Sequence, residues 1–462
     1  MKDMRMFISA LEKESPNQVV RVTKEIDPKY EVSALIRKLA DAGKNPILIF
    51  EKVKGSRYRL VCNVCEGREK FALAMGCSVG DVEDTYFRRE TEVLKGQKNF
   101  SPITLSKTES PCKEVVLIGN DVNMFDFPVV THHQGEAPYI TRGIGIVKFP
   151  DVDAYHAAHY RLMVKEKNRG VTHITPGRHL WDIYNYRNDR NEPLEIAFVI
   201  GSNPLWSLGS QSRISHPPYE YDVMGALLGE PLELVRCETI DVKVPAWAEI
   251  IVEGEILPGE LESEGPWGDF TRYSVVAERP PVHIKAITCR KDAILQDMGA
   301  WTMAGAYLPR IPLTAHMIRK LKEAVPDVVS FRYGPNPELF YGLISIKKRH
   351  PGQPKQAILA AMAADHYLKY VICFDEDINL DSNFRITWAL ATRVQAEKDI
   401  FIISGVLGTD LDISAAENGL ITKVGIDATA KPYLKDIPNP AMIPKEILKA
   451  IRIEEYLPGY KL

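Results

Sequence analysis

The sequence predicts an α/β protein of several domains, with an antiparallel β domain at its centre. Three observations carry this. The chain has 462 residues, too many for one core when a domain takes ~150. Toward both ends, apolar residues at helical spacing alternate with short β-rich runs. Between 111 and 300 the runs are almost all short and β-rich, separated by Pro, Gly and Asp, the pattern of a barrel or sandwich. The expected divisions are 1–110, an N-terminal α/β domain; 111–300, the β domain; 301–442, a C-terminal α/β domain; and 443–462, a terminal helix and tail.

In the first domain, apolar Val32, Leu35, Ile36 and Leu39 place a helix over 28–42, and Gly43 stops it. Residues 46–50 read as a buried strand, 68–75 and 79–94 as further helices. In the β domain, 114–118, 144–149, 155–164, 195–200, 249–256 and 282–288 read as strands, with a helix after Tyr219. The third domain alternates helix 312–322, strand 343–347, helix 356–364, strand 370–374 and helix 383–394. There is no internal repeat and no low-complexity segment.

Charge and hydropathy exclude some classes. Lys+Arg of 58 against Asp+Glu of 61 argues against nucleic acid or an anionic membrane as the main partner. No apolar run reaches the ~20 residues of a membrane helix, and the charged start Met1-Lys2-Asp3-Met4-Arg5-Met6 does not suit a signal peptide. A cytoplasmic protein is expected. Seven scattered cysteines fit reduced thiols. Cys62 and Cys65 have CxxC spacing but no second pair for zinc, so a structural role is expected for them.

The most informative segment is Glu262-Ser-Glu264-Gly-Pro-Trp267-Gly-Asp269-Phe270. Gly265, Pro266 and Gly268 forbid a regular helix or strand, so the chain bends and Glu264 and Asp269 can face one pocket. To hold a proton at neutral pH, an Asp starting near ~3.9 must rise to about 7, worth about 4 kcal/mol. A dry pocket beside a second carboxylate supplies that. The letters alone also admit a solvated acidic turn. A second cluster is His156, His159 and Arg161, then His173 and His179, then Glu220. These suit a divalent cation such as Mn²⁺, although satisfied core or surface histidines give the same pattern. Asp375-Glu376-Asp377 lacks the rest of a calcium loop. It is assigned to the start of a helix and to contacts between subunits. No P-loop, GxGxxG, nucleophile elbow or HExxH is present.

These residues resemble a known family. Glu264-Gly-Pro-Trp-Gly-Asp269 is similar to the EGP(F/Y)G(E/D) signature of the UbiD decarboxylases. Residues 46–55, Pro138-Tyr-Ile-Thr141, Phe374-Asp-Glu-Asp377, Trp388–Arg393 and Gly425–Thr429 are similar to other parts of that family, in the same order. The resemblance spans nearly the whole chain. It implies a central split β-barrel that binds prenylated FMN. It also implies reversible, non-oxidative decarboxylation of an aromatic, heteroaromatic or α,β-unsaturated acid through a covalent adduct with that flavin.

Carried over residue by residue, the catalytic network falls on Arg161, Glu264 and Asp269, with Asp269 as proton donor. The metal that bridges the flavin phosphate falls on His156, His179 and Glu220. Mn²⁺ or Mg²⁺ is implied there, with K⁺ as a further candidate. His156 departs from the family's usual Asn, which suits Mn²⁺ better than Mg²⁺. Strict strand alternation would set His156 and Arg161 on opposite faces, so a bulge or bend between them is required. His159, Tyr160, Arg161, Thr175 and Arg178 join the three metal residues as the expected flavin contacts. Arg178 is placed against either the substrate carboxylate or the flavin phosphate. Gln296, Trp301 and the 404–410 loop are the expected substrate-pocket residues.

The implied partners are a small carboxylic acid, a flavin prenyltransferase that supplies the cofactor, and further copies of the chain as dimers or trimers of dimers. Two other readings stay open at this level: a metal-dependent lyase or hydrolase without flavin, and a non-catalytic subunit of a carboxylase assembly.

Overall fold

The structure is a computed structural model. It describes all residues except 176–177, 215–216, 218, 269–273, 299–306, 335–338, 410, 417–418, 432–442 and 457–462.

The N-terminal sheet runs Val19–Val22, Ile47–Phe50, Arg59–Cys62 and Ile294–Asp297. Its last strand arrives from far along the chain and pairs parallel with Arg59–Cys62. The helix expected over 28–42 spans Glu31–Asp41, and that over 79–94 opens as a 3₁₀ turn before Val82–Leu94. Cys62 and Cys65 are buried, and burial pushes both thiols up, Cys65 to about 11. This supports the structural role, because the thiolate is the reactive form.

Among the described residues the central sheet has nine strands, paired antiparallel. Tyr155–His159 lies at one end of the strand order, and Leu162–Glu166 is next to the other end. Only Tyr160 and Arg161 separate them in sequence. Three peptide steps reach at most about 11 Å, so the two ends must lie close together. The sheet therefore curls into a half-barrel, split at Tyr160–Arg161. The single strand expected over 155–164 is thus two strands in different pairings: Tyr155–His159 on Ile144–Lys148, and Leu162–Glu166 on Arg169–Thr172. The break between them is the bend that His156 and Arg161 require.

Leu48, Phe50 and Leu60 of the first domain share one core with Ile140, Leu162 and Phe198 of the barrel. The third domain is a five-stranded mixed sheet, Val328–Tyr333, Tyr341–Ile346, Tyr370–Asp375, Leu420–Asp427 and Ile400–Leu407. Its first helix is longer than expected, Tyr307–Ala324 with Pro312 inside. One face, Leu308, Ile311 and Ala315, packs with the N-terminal helices. The other, Leu313, Met317 and Leu321 at i, i+4 spacing, packs in the third domain's core. This helix fixes the third domain over the barrel.

Two expectations change here. The terminal segment forms two short helices, Lys445–Ala450 and Ile453–Tyr456, not one. Asp375 and Asp377 are held within the chain by Arg393 at 2.9 and 2.6 Å, because the helix Asn383–Arg393 ends beside them. Intersubunit contact is not needed to explain them.

Candidate active site

Arg161 lies two residues past the end of the strand Tyr155–His159, and its guanidinium meets Glu264 from a different hairpin. Nε donates to Oε1 at 2.8 Å and Nη2 to Oε2 at 3.0 Å, a two-pronged pair. Tyr139 donates its hydroxyl to Oε1 at 2.9 Å. The Arg161 guanidinium also lies 5.5 Å from the centre of the Trp267 ring, which stacks obliquely on Tyr139 at 4.6 Å.

Glu264 is 1% exposed. Burial pushes its carboxyl up, but hydrogen bonding from the side of His173 and Arg161, and the charge of Arg161, outweigh it and hold the pKa at about 2. The guanidinium is the stronger reason. His173 Nδ1 stands 3.6 Å from Oε2 and accepts N–H bonds from Arg161 and Arg279 at 3.1 and 3.2 Å. It has no proton left for Glu264.

Glu264 was expected on a chain without regular structure. It lies instead in a strand, Glu262–Gly268, paired with Ser274–Arg279. The register slips between Glu264 and Trp267, so Gly265 and Pro266 form a bulge. Gly265 has φ +112°, open to glycine alone without strain. The bulge thus re-aims the strand without ending it. Glu136 Oε1 accepts the Gly268 N–H at 2.6 Å and anchors the strand's end. Asp269 and Trp301 lie outside the described residues.

The second cluster forms on three elements. His156 is on the strand Tyr155–His159, while His179 and Glu220 are the first residues of the helices His179–Asn188 and Glu220–Leu228. Their candidate ligand atoms lie within 4.8 Å of one another. His156 Nδ1 is 2.9 Å from Glu220 Oε1, and its Nε2 is 2.9 Å from the Tyr160 hydroxyl. His179 Nδ1 is 4.0 Å from the same Glu220 oxygen. Two helix N-termini converge here, and their exposed N–H groups favour anions.

Both clusters open onto joined cavities between barrel and third domain. One, about 390 Å³, is lined by His156, His179, Glu220, Arg178 and His316. The other, about 300 Å³, is lined by Arg161, His173, Trp267, Met298, Leu308 and Leu339. His159, Tyr160, Thr175 and Gln211 line both. Burial and the charge of Arg142 push His159 down to about 3, which keeps its imidazole neutral. The expected pocket residues fare differently. Gln296 points into the interior, bonded to the Ser202 N–H and to Cys65. Residues 404–407 continue an exposed strand, 410 lies outside the described residues, and Leu411 lines the pocket instead. In the sequence Tyr139 stands only as part of the 138–141 motif, and no sequence signal marks it as a Glu264 partner.

Family descriptions of 3-octaprenyl-4-hydroxybenzoate carboxy-lyase match the chain in three consecutive parts: its N-terminal domain at 10–88, its Rift-related domain at 104–301 and its C-terminal domain at 306–428. The chain belongs to the UbiD family. It is 32% identical to an anhydromevalonate phosphate decarboxylase of Methanothermobacter thermautotrophicus, over 92% of this chain and 96% of that one. It is 31% identical to a phenolic acid decarboxylase of Sedimentibacter hydroxybenzoicus, over 95% and 93%. The UbiD-class enzyme HmfF from Pelotomaculum thermopropionicum, solved in complex with FMN, superposes with a TM-score of 0.90 at 34% identity, over 98% of this chain and all of that one. An evolved dimeric form of HmfF was solved with prFMN.

This UbiD-class enzyme thus has the three-part fold its sequence predicted, with the half-barrel at the centre. Among the described residues no helix is long and apolar enough to cross a membrane.

Proposed function

We propose that this UbiD enzyme is a prenylated-FMN-dependent decarboxylase of an aromatic, heteroaromatic or α,β-unsaturated acid, able to run in either direction. The observation that carries the reading is the Arg161–Glu264 pair, buried and two-pronged, beside a cavity of mixed apolar and basic lining joined to a lobe with a metal-binding donor set.

The residues fit the cofactor. Two helix N-termini, Arg178 and a His₂Glu set converge on one lobe, which suits a phosphate held through a divalent cation. The two nitrogens favour Mn²⁺, with Mg²⁺ and K⁺ as weaker candidates. Arg178 lines this lobe, which favours the phosphate over the substrate carboxylate as its partner. The combined volume suits a flavin and a small acid. When bound, the flavin supplies an electron sink that no side chain offers.

The protein's own residues do the rest. Trp267, Met298, Leu308, Leu339 and Leu411 wall the smaller lobe, bind a flat apolar body and exclude water. Arg161 keeps Glu264 ionised and oriented. Asp269, just beyond the anchored end of that strand, returns a proton to the carbon that lost CO₂.

A flavin prenyltransferase supplies the cofactor, and a second copy of the chain covers the exposed edge strand Ile400–Leu407, where Ile402 and Leu407 are 65% and 67% exposed. The test is CO₂ release from benzoate, 4-hydroxybenzoate, 2-furoate and cinnamate by protein co-expressed with a flavin prenyltransferase. Flavin absorbance and bound Mn²⁺ are read on the same sample. Turnover of at least one acid, with flavin and metal bound, is expected; protein that carries metal but no flavin would overturn the reading.

A further inference from the structure

His173 follows the strand Arg169–Thr172, which pairs with the strand just beyond Arg161. It therefore stands beside the Arg161–Glu264 pair and lines the smaller lobe.

Its surroundings fix its tautomer. Arg161 Nη2 at 3.1 Å and Arg279 Nε at 3.2 Å both point N–H groups at Nδ1. A guanidinium nitrogen can only donate, so Nδ1 must be bare and accepting. The remaining ring proton is then on Nε2. All hydrogen bonds of this ring among the described residues are at Nδ1, which leaves the Nε2–H for the cavity that the ring lines. His173 is thus a neutral donor with a preset direction.

We infer that His173 is a substrate-orienting residue whose Nε2–H donates to the carboxylate of the substrate acid. The inference rests on the decarboxylase reading above.

Chemistry favours a neutral donor at this position. The carboxylate is anionic when it binds and leaves as uncharged CO₂. A cation against it would stabilise the bound acid more than the transition state and slow the step. Arg142 and Arg213 also line the lobe, Arg142 bonded to Glu66; the two guanidiniums beside the ring are bonded within the site, Arg161 to Glu264 and His173, Arg279 to His173 and the Glu278 carbonyl. They set the imidazole's direction, and the imidazole holds the acid. Glu264, ionised and close by, would repel a carboxylate, so a donor is needed between them.

Two measurements test this. The first needs no substrate. Long-range ¹H–¹⁵N spectra of ¹⁵N-histidine-labelled holoenzyme should show His173, identified as the signal lost in His173→Gln, with a proton on Nε2 and a bare Nδ1. A proton on Nδ1, or on both nitrogens, overturns the inference whatever the enzyme turns over. The second uses whichever of the four panel acids is converted. His173→Leu should raise KM roughly 10–100-fold with kcat within about threefold, the loss expected for a hydrogen bond to a charged group. His173→Gln keeps an N–H donor at similar reach and should recover most of that KM. An unchanged KM in His173→Leu, or equal losses in both variants, overturns it. A wild type inactive on every acid would count against the decarboxylase reading and leave the tautomer result to decide this one.

Discussion

One buried glutamate lines the larger lobe and another lies behind Arg161 at the wall of the smaller one, and the two are held in opposite ways. Glu264 is gripped by a guanidinium fork and a tyrosine hydroxyl, which fixes it as an anion with a set direction. Glu220 is the first residue of a helix and faces two imidazoles, a group of lone pairs that can be shared with a cation. Both carboxylates are almost fully buried, at 1% and 2% exposure. Burial alone therefore does not assign a role; the chemistry of the partner does. An arginine consumes a carboxylate's lone pairs and leaves it to act on protons by charge and position. A pair of imidazoles leaves it to act as a ligand.

This contrast yields graded tests. The largest effect falls on the gripped side. Glu264→Gln should lower kcat by about 10³-fold, within the range of acid–base catalysis, while flavin absorbance stays at the wild-type level; a variant of near wild-type activity would erase the distinction between the lobes. Next comes the ligand side. Glu220→Ala should bind Mn²⁺ at least about tenfold more weakly, more than the loss of an outer partner brings, and lose flavin with it. Full flavin occupancy in metal analysis and absorbance would sink the ligand role.

Smaller still is a stability effect confined to Glu264. Its carboxyl is depressed in the folded state, to about 2. Its contribution is therefore present above the unfolded value near ~4.3 and is lost as pH falls toward 2. This amounts to on the order of 3 kcal/mol. Urea unfolding at pH 6 and pH 3 should show wild type losing more than Glu264→Gln, and parallel losses would show that the pair is not what holds the carboxylate down. The mildest change is Tyr139→Phe, which removes one hydrogen bond and should cost about 1 kcal/mol in the same assay; no change at all would mean that the hydroxyl is dispensable.

Much of this was legible in the sequence. Helices that turn one apolar stripe to a core declared themselves, as 32, 36 and 39 do; Met4–Glu14 and His179–Asn188, the second of which opens on a candidate ligand, were not predicted. The Glu264 segment was legible as chemistry but misread as backbone. Gly265 and Pro266 argue against a strand, yet the neighbouring hairpin strand tolerates them as a bulge. The seam at Tyr160–Arg161 was legible only as a demand: two residues needed on one side could not be, if the strand ran straight. The strands on either side of the break pair locally, Tyr155–His159 with Ile144–Lys148 and Leu162–Glu166 with Arg169–Thr172; the curl that brings them together rests on distant pairings such as Arg169–Val171 with Pro281–His283, and no local pattern records those. The same limit hid Tyr139 as a partner of Glu264 and His173 as a partner of Arg279, since these contacts join separate parts of the half-barrel. Gln296, expected in the substrate pocket, is instead turned inward because its strand joins the N-terminal sheet.

The central claim is that the anchored strand ending in Gly268 delivers Asp269 as the acid that replaces CO₂ with a proton. The most direct measurement is turnover in D₂O by holoenzyme of wild type and Asp269→Asn on an accepted panel acid. The wild type should release CO₂ and place one deuterium on the carbon that lost it. Asp269→Asn, with equal flavin and metal, should form no such product. Wild-type rates and labelling in that variant would contradict the account.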